Sequence, residues 1–353
     1  MRYRRLGETG LSVSEISFGT IPVLKGSIPV LPKYYNLEID EAVALMRYAW
    51  KLGCNFYDTA IVPEYGDAEI KLGIFAKTID RDQLILSDKA RFFDGYDMYH
   101  AVEESIKNLQ ETPDIYFVHQ VDYENVDQVF GKYGALDALV ELKREGKIRY
   151  TGIASHYYDV LYRGLLDKRV DVLQGSGNLL ERGMLDRIER EPMFQKKGLI
   201  INKVYAAGLL PRYFSEQELI GSVLSYPIST ALIGIGTRQQ AECAFLYNTT
   251  RYDRMEWIDV IDRLKQYFTP VGCDRCQKCV CHYGTEIHTL LRQKNYFHMG
   301  KDYWALKKLK LGIKDSARFC EHCVESTCMR QCPKGLFIPH LIQEINEMVE
   351  QYL

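Results

Sequence analysis

Between about residues 15 and 245 the chain alternates eight times between a short β-like run and a helical stretch. The β-like runs are Ile16–Thr20, Asn55–Ala60, Leu84–Lys89, Ile115–Gln120, Tyr150–Ser155, Asp171–Gln174, Leu199–Tyr205 and Thr230–Gly234. Several are apolar at successive positions, as in Ile115-Tyr116-Phe117-Val118, so both faces of the strand need cover. Between the runs, Ala42, Met46, Ala49 and Trp50 share a helical face ahead of Gly53. Leu136, Leu139, Val140 and Lys143 do the same ahead of Gly146. This alternation predicts an α/β protein, a (β/α)₈ TIM barrel. The opening Arg2–Ser14, centred on Glu8-Thr9-Gly10, predicts a hairpin capping the barrel bottom. The proline-rich stretch Ile21–Asn36 is long for a first βα loop and belongs at the active-site face.

Near Phe268-Thr269-Pro270 the pattern changes to cysteines and Lys/Tyr-rich helical sequence. The expected division is a barrel over 1–268 and a small α-helical tail over 269–353. The 353 residues suit that pairing, and a net charge of −2 gives no electrostatic reason to expect nucleic-acid binding. No run of about 18 apolar residues appears, so no membrane span is expected. The basic start Met1-Arg2-Tyr3-Arg4-Arg5 has no apolar stretch behind it, so the expected location is the reducing cytoplasm. There, clustered thiols bind metal more readily than they pair as disulfides. Cys54 and Cys243 stand alone and read as small packed side chains.

Asp58, Tyr65, Lys89 and His119 fall at or just after the ends of the second, third and fourth runs. Strand ends of this kind converge on the mouth of a (β/α)₈ barrel. An Asp58–Lys89 ion pair and a rim histidine are the packing explanation; the ordered set favours chemistry. A tyrosine phenol is a weak acid, and a lysine ammonium beside it favours the phenolate. An aspartate keeps that lysine charged, and a neutral histidine orients a carbonyl. The four make a proton donor for an oxygen whose carbon is receiving hydride.

The other eight cysteines form two runs, Cys273, Cys276, Cys279, Cys281 and Cys320, Cys323, Cys328, Cys332, the second closed by Pro333. Three cysteines at two-residue gaps, and a Cys-x₃-Cys-Pro ending, are the spacings of bacterial ferredoxins. Two zinc sites stapling the tail are the alternative. Iron–sulfur ligation fits the spacing better, with two [4Fe–4S] clusters and Cys281 and Cys332 crossing to the other site. The short Cys279-Val280-Cys281 gap leaves one cluster as the fallback. His282 and His322 neighbour ligands and read as flanking residues. Lys301, Lys307, Lys308, Lys310 and Lys314, with Tyr303, Trp304 and Leu306 between them, read as a helix with a solvated basic face. The functional alternative is a docking patch for an acidic electron carrier such as a ferredoxin or flavodoxin.

Phe56-Tyr57-Asp58-Thr59-Ala60, Tyr65-Gly66-Asp67-Ala68-Glu69, Leu86-Ser87-Asp88-Lys89 and Asp114-Ile115-Tyr116-Phe117-Val118-His119 together resemble the aldo-keto reductase superfamily. Gly146-Lys147-Ile148-Arg149-Tyr150-Thr151-Gly152-Ile153, Asp171-Val172-Leu173-Gln174 and Asn178-Leu179-Leu180 extend the likeness to about residues 1–267. The tail, with Cys281-His282-Tyr283-Gly284 and Cys332-Pro333-Lys334-Gly335, resembles the subgroup carrying a ferredoxin-like domain. The resemblance implies hydride transfer between NADP(H), or NAD(H), and a small carbonyl or sugar-like substrate, without flavin. It makes Tyr65 the general acid, Lys89 and Asp58 its tuning pair and His119 the orienter. It puts cofactor contacts on Gly19, Thr20 and Asn202, on Ser155 and Gln174 at the carboxamide, and on the stretch Lys203 to Leu209, with Gly208, beside the pyrophosphate. Gly234, Thr237, Arg238 and Glu242 fall at the adenosine end, with Arg238 the candidate for a 2′-phosphate.

The chain departs from the family at several points. Asp58 and Tyr65 are seven residues apart, longer than usual, through an insertion in Ile61-Val62-Pro63-Glu64. Asn202 replaces a stacking aromatic, Ala244 an asparagine, and Ala154-Ser155 a Ser-Asn pair. These motivate a second reading, an electron-transfer or redox-sensing protein whose barrel has drifted.

Overall fold

The computed structural model describes residues 1–25, 36–246, 266–273, 275–301, 303–313, 320, 323 and 326–353. Most of the proline-rich first loop, Lys314 and His322 lie outside the described residues. The chain opens with a hairpin, β1 (Tyr3–Arg5) and β2 (Ser12–Ser14), paired antiparallel. Eight strands follow: β3 (Ile16–Gly19), β4 (Phe56–Asp58), β5 (Ile85–Ala90), β6 (Ile115–Val118), β7 (Tyr150–Ala154), β8 (Val172–Ser176), β9 (Gly198–Asn202) and β10 (Thr230–Gly234). All pair in parallel and in chain order, and β10 closes on β3, giving the expected (β/α)₈ barrel.

Alternation along the strands sorts the side chains. Phe56, Ile85, Ile115, Phe117, Val172, Ile200 and Leu232 fill the inside of the barrel. Tyr57, Leu86, Tyr116, Val118, Ile153 and Leu173 point outward into the layer of helices. Leu6 of the hairpin joins the inner cluster, and Glu8 N–H donates to the Lys196 carbonyl at 2.9 Å, so the hairpin does close the floor. A Cβ on Gly7, whose φ is +55°, would stand 2.3 Å from the Gly198 nitrogen, so only glycine permits that approach.

The helices follow their apolar faces. Ile39–Lys51 starts with a capping box between Glu38 and Glu41 and buries Ala42, Leu45, Met46 and Ala49. Gly53, at φ +97°, ends it. Ala135–Arg144 buries Ala135, Leu136, Leu139 and Leu142. Val140 is exposed, contrary to the sequence reading: Leu142 takes the inward position instead. Among the described residues no strand follows Gly234. The tail consists of helices Ile287–Gly300, Tyr303–Ile313, Thr327–Gln331 and Ile338–Tyr352. The three longer ones bury Leu290, Leu291, Phe297, Leu306, Leu309, Ile342 and Ile345. No described helix is long and apolar enough to cross a membrane.

One polar pair in the helix layer sets a pH dependence. Asp88 points outward from β5 toward Glu69 of helix Ala68–Ala76, and both are buried. Asp88 Oδ1 accepts from the Lys89 N–H and Glu69 Oε2 from Asn108, leaving the other oxygen of each without a donor among the described residues. Burial, then Glu69, hold the Asp88 carboxyl well above the ordinary carboxylate range, so the pair keeps a proton. A carboxyl whose pKa is raised on folding binds more protons folded than unfolded above that ordinary range. Its contribution is complete at acid pH and declines as pH rises toward the folded value. Asp88→Asn, which keeps a donor without the charge, should therefore flatten the fall in Tm between about pH 5 and pH 9. Parallel melting curves for the two proteins across that range would refute the shared proton.

Candidate active site

The β4–β5 pairing sets Asp58 opposite Ser87, and Lys89 two residues further along β5. Both charged side chains are 1 % exposed and form an ion pair. Ser87 Oγ donates to Asp58 Oδ1 at 2.7 Å, Gln174 Nε2 to the same oxygen at 3.2 Å, and Lys89 Nζ also to the Thr59 carbonyl at 2.7 Å. Burial alone would lower the Lys89 pKa, but Asp58 and Tyr65 outweigh it and the net shift is upward. The ammonium therefore stays charged.

The inserted residues before Tyr65 are absorbed in a 3₁₀ turn, Pro63–Tyr65, with proline at its start. The Tyr65 N–H donates to the Val62 carbonyl at 2.9 Å, and Gly66 turns away at φ +52°. An Arg91–Glu64 ion pair at 3.2 Å ties the turn to the end of β5. The Tyr65 ring thus faces inward, with Lys89 Nζ 5.3 Å from its centroid. Tyr57 faces the other way and donates to the Met46 carbonyl at 2.9 Å. The balance on the Tyr65 phenol differs from expectation. Burial raises its pKa more than Lys89 lowers it, and Asp58 adds to the rise. At neutral pH it is a protonated donor, not a poised phenolate.

Asp58, Tyr65, Lys89 and His119 line one cavity of about 280 Å³ at the C-terminal ends of the strands. His119 Nδ1 has no hydrogen-bond partner among the described residues. Burial, then the nearby Lys89, Arg91 and Lys203 charges, push the imidazole well below its ordinary value, so it is neutral. Gly19, Asn202, Lys203, Gly208 and Gly234 also line this space. Buried acceptors Asn202 Oδ1 and Gln174 Oε1 lack partners among the described residues, which fits a ligand bringing N–H donors. Thr20 is buried beside Asp58, its N–H on the Asp58 carbonyl at 3.0 Å and its hydroxyl free. Lys203, Ala206, Ala207 and Gly208 all have positive φ, a turn that folds the backbone along the cavity wall.

Besides Thr20 and Gln174, five of the expected cofactor residues do not line this cavity. Ser155 Oγ is taken by the Val121 carbonyl at 2.6 Å and the Tyr157 N–H at 3.0 Å. Leu209 is buried behind the wall. Arg238 is 72 % exposed, its guanidinium 4.0 Å from the Tyr48 centroid and 3.6 Å from Glu242. Glu242 in turn accepts from the Tyr48 hydroxyl at 2.7 Å. Thr237 caps helix Arg238–Phe245, whose start is marked in the cavity wall by Gln240. Glu64, Gln120 and His156 line the cavity as well, and sequence reasoning missed them. His156 follows β7 directly; its position after a strand end was the available signal.

All ten cysteines are free. The tail groups eight of them around two hollows. Cys273, Cys276 and Cys279 share one with Cys332, and Cys320, Cys323 and Cys328 share the other with Cys281. Ile338 lies between the two. Among the described residues no set of His, Cys, Asp or Glu closes tightly enough for a single metal ion. Burial pushes the thiols up, to about 11 for Cys273 and Cys320 and about 12 for Cys279. Such thiols become ligands only where a metal centre offsets the thiolate charge.

The tail docks on the mouth. Tyr157, in the loop after β7, meets His288 at 3.3 Å, and Glu181, after β8, pairs with Arg292 at 3.1 Å. Tyr123, after β6, donates to the Cys276 carbonyl at 3.4 Å, and Arg212, after β9, to the Gly300 carbonyl at 3.0 Å.

A parallel barrel whose mouth holds a buried Asp–Lys pair, a tyrosine and a neutral histidine defines a class of oxidoreductase site. The model of the aldo/keto reductase family matches residues 16–211, and the chain belongs to that family. It is 33 % identical over 168 residues to L-galactose dehydrogenase of Arabidopsis thaliana, covering 44 % of this chain and 49 % of that protein. It is 24 % identical over 286 residues to an NADH-specific methylglyoxal reductase of Escherichia coli, covering 74 % and 78 %. The chain thus spans about half the length of the first of these relatives. An aldo-keto reductase structure from Bacillus halodurans, in its holo form, superposes with a TM-score of 0.63 at 20 % identity, covering 74 % of this chain and 96 % of that one. A Klebsiella pneumoniae aldo/keto reductase structure in complex with NADP and acetate gives 0.60 at 19 %, covering 75 % and 95 %. At these identities both show the fold.

A neutral His119 has a testable signature. Its folded pKa lies below the ordinary 6.5. The stability it contributes is complete above that value and is lost as pH falls through the folded one. In proton–carbon NMR spectra, assigned by the loss of a signal in His119→Gln, its imidazole shift should stay flat as pH falls through about 6.5. A full titration step there would show an exposed, ordinary histidine.

Proposed function

We propose that the protein is an NAD(P)H-dependent carbonyl oxidoreductase in which Tyr65 is the general acid. The observation that carries this is the shared cavity of Asp58, Tyr65, Lys89 and His119, with Lys89 Nζ 5.3 Å from the Tyr65 ring centroid. A bound nicotinamide supplies or accepts the hydride. Its carboxamide suits the orphaned acceptors Gln174 Oε1 and Asn202 Oδ1. Its phosphates suit the Lys203–Gly208 turn and the start of helix Arg238–Phe245, where N–H groups converge. Arg238, exposed on Tyr48, is the candidate for a 2′-phosphate.

The protein's own part is proton movement and orientation. His119, neutral, hydrogen-bonds the substrate carbonyl oxygen and aims it at Tyr65. The phenol gives its proton to that oxygen as negative charge develops. Lys89 stabilises the phenolate left behind, and Asp58 keeps Lys89 charged. Because burial raises the Tyr65 pKa, the proton-donating direction, carbonyl reduction, is favoured at neutral pH and alcohol oxidation gains as pH rises. The substrate class is a small carbonyl or sugar-like molecule; one curated relative is named a D-threo-aldose 1-dehydrogenase.

For the tail we propose an iron–sulfur domain over 269–353 holding two [4Fe–4S] clusters. Its support is the crossed grouping, Cys332 with the first three cysteines and Cys281 with the second three. Hydride carries two electrons and a cluster one, so the clusters need not lie on the hydride path.

Two measurements test this. Tyr65→Phe should lower kcat for aldehyde reduction by at least about 100-fold while leaving NADPH fluorescence binding intact. Equal activity in the two proteins would remove Tyr65 from the mechanism. Anaerobically isolated protein should absorb near 400 nm and contain iron and acid-labile sulfide, and Cys332→Ser should lose about half of both. Colourless, zinc-loaded protein would overturn the cluster reading.

A further inference from the structure

The turn Lys203–Gly208, part of the cavity wall, is an unfavourable piece of backbone. Lys203, Ala206 and Ala207 all carry side chains, yet their φ angles are +61°, +46° and +58°. Such conformations persist only where the surroundings hold them. The start of this turn is held from outside as well as within. The Lys203 carbonyl accepts from the Ala206 N–H at 2.9 Å and, across from the loop after β8, from Asn178 Nδ2 at 3.1 Å. One residue earlier, the Asn202 carbonyl accepts from the Gly177 N–H of that same loop at 3.1 Å. Asn178 is buried, and its Oδ1 accepts the Leu180 and Glu181 N–H groups, each at 2.9 Å. Its Nδ2 also reaches Glu181 Oε2 at 3.3 Å. The other Glu181 oxygen belongs to the tail: Arg292 Nε pairs with Oε1 at 3.1 Å, the two side chains being 14 % and 12 % exposed. Arg292 is steadied in turn by the Tyr296 hydroxyl at 2.7 Å. A continuous line of hydrogen bonds thus joins helix Ile287–Gly300 to the cavity wall, although no described tail residue lines the cavity itself.

We propose that Arg292 is a positioning residue for the nicotinamide cofactor, setting Glu181, and through it Asn178, so that the Lys203 turn keeps the shape the cofactor's phosphates need. This rests on the reductase reading, in which the phosphates lie along that turn, and goes beyond it by giving the tail a part in cofactor binding. No electron transfer is involved. Exchanging a buried ion pair for apolar packing is often neutral for stability, so what this pair adds is a fixed geometry. The geometry it fixes is that of the loop after β8, whose far side touches both Asn202 and Lys203.

The test measures NADPH affinity by fluorescence, and aldehyde kinetics, in full-length, anaerobically isolated protein. Arg292→Met should raise the Kd and KM for NADPH about fivefold, hold kcat at saturating cofactor within about twofold, and keep the wild-type iron content. Arg292→Lys, which restores the ion pair, should recover most of the loss. Glu181→Gln cuts the same line from the barrel side, because its single oxygen cannot serve Arg292 and Asn178 in their present places. The double variant should bind NADPH no more weakly than the weaker single one. Unchanged affinity in Glu181→Gln overturns the proposal, as do losses that multiply in the double variant. If Arg292→Met sheds iron, the tail itself has come apart, and Glu181→Gln alone decides. If wild type binds neither NADPH nor NADH, the reductase reading fails. Deuterium exchange over residues 203–209 then decides the line of bonds by itself: exchange about tenfold faster in Glu181→Gln sustains it, and exchange equal to wild type ends it.

Discussion

The mouth of this barrel is organised by the buried ion pair of Asp58 and Lys89. Taking both charges out of water is unfavourable in itself, and their attraction offsets that only with good geometry and satisfied hydrogen bonds. The structure supplies both. Ser87 and Gln174 donate to the carboxylate, and the Thr59 carbonyl accepts from the ammonium. These partners come from β5, β8 and the end of β4, so the pair is compensated only when the parallel barrel is closed. Closure in turn depends on a register that sets Asp58 opposite Ser87. The chemistry and the fold therefore rest on one alignment.

From that pair the electrostatics of the other two residues follow. The Lys89 charge helps hold His119 neutral, which makes it a hydrogen-bonding guide and not an acid. The same charge pulls the Tyr65 phenol down, yet burial raises it further. Lys89 therefore acts chiefly on the phenolate that forms during proton transfer, where its stabilisation lowers the barrier. A phenolate formed before substrate binds would have no proton to give.

Much of this was legible in the residues. The eight strands announced themselves because parallel strands covered on both sides are apolar on both faces, and each expected run contains or overlaps its barrel strand. The four mouth residues were legible because fixed strand order converts sequence order into spatial neighbourhood. Features set by contacts between distant segments were not legible. The Glu64–Arg91 tie that seats the inserted turn joins residues 27 apart in sequence. His156 reads as an unremarkable residue until the barrel closes around it. Val140 and Leu142 could not be told apart by periodicity, since their helix is only ten residues long. Burial of Tyr65 is a property of the assembled cavity, so the direction of its pKa was out of reach of local reasoning.

The least legible feature was the place of the tail. Nothing in a run of cysteines says which part of a barrel it will touch. Yet Tyr123, Tyr157, Glu181 and Arg212, its partners, all lie beyond the C-terminal ends of strands, where substrate must enter. A domain serving only as an electron store could dock anywhere; one docked here holds the loops that surround the mouth. The tail residues that meet Tyr157 and Glu181, namely Arg275, His288 and Arg292, stand either between two cysteines of the first run or on the helix that follows it. Loops so short in regular structure keep their shape through what the cysteines bind. Under the iron–sulfur reading, metal occupancy would then act mechanically on the loop after β8, through the hold of Arg292 on Glu181, with no electron passing between the two domains.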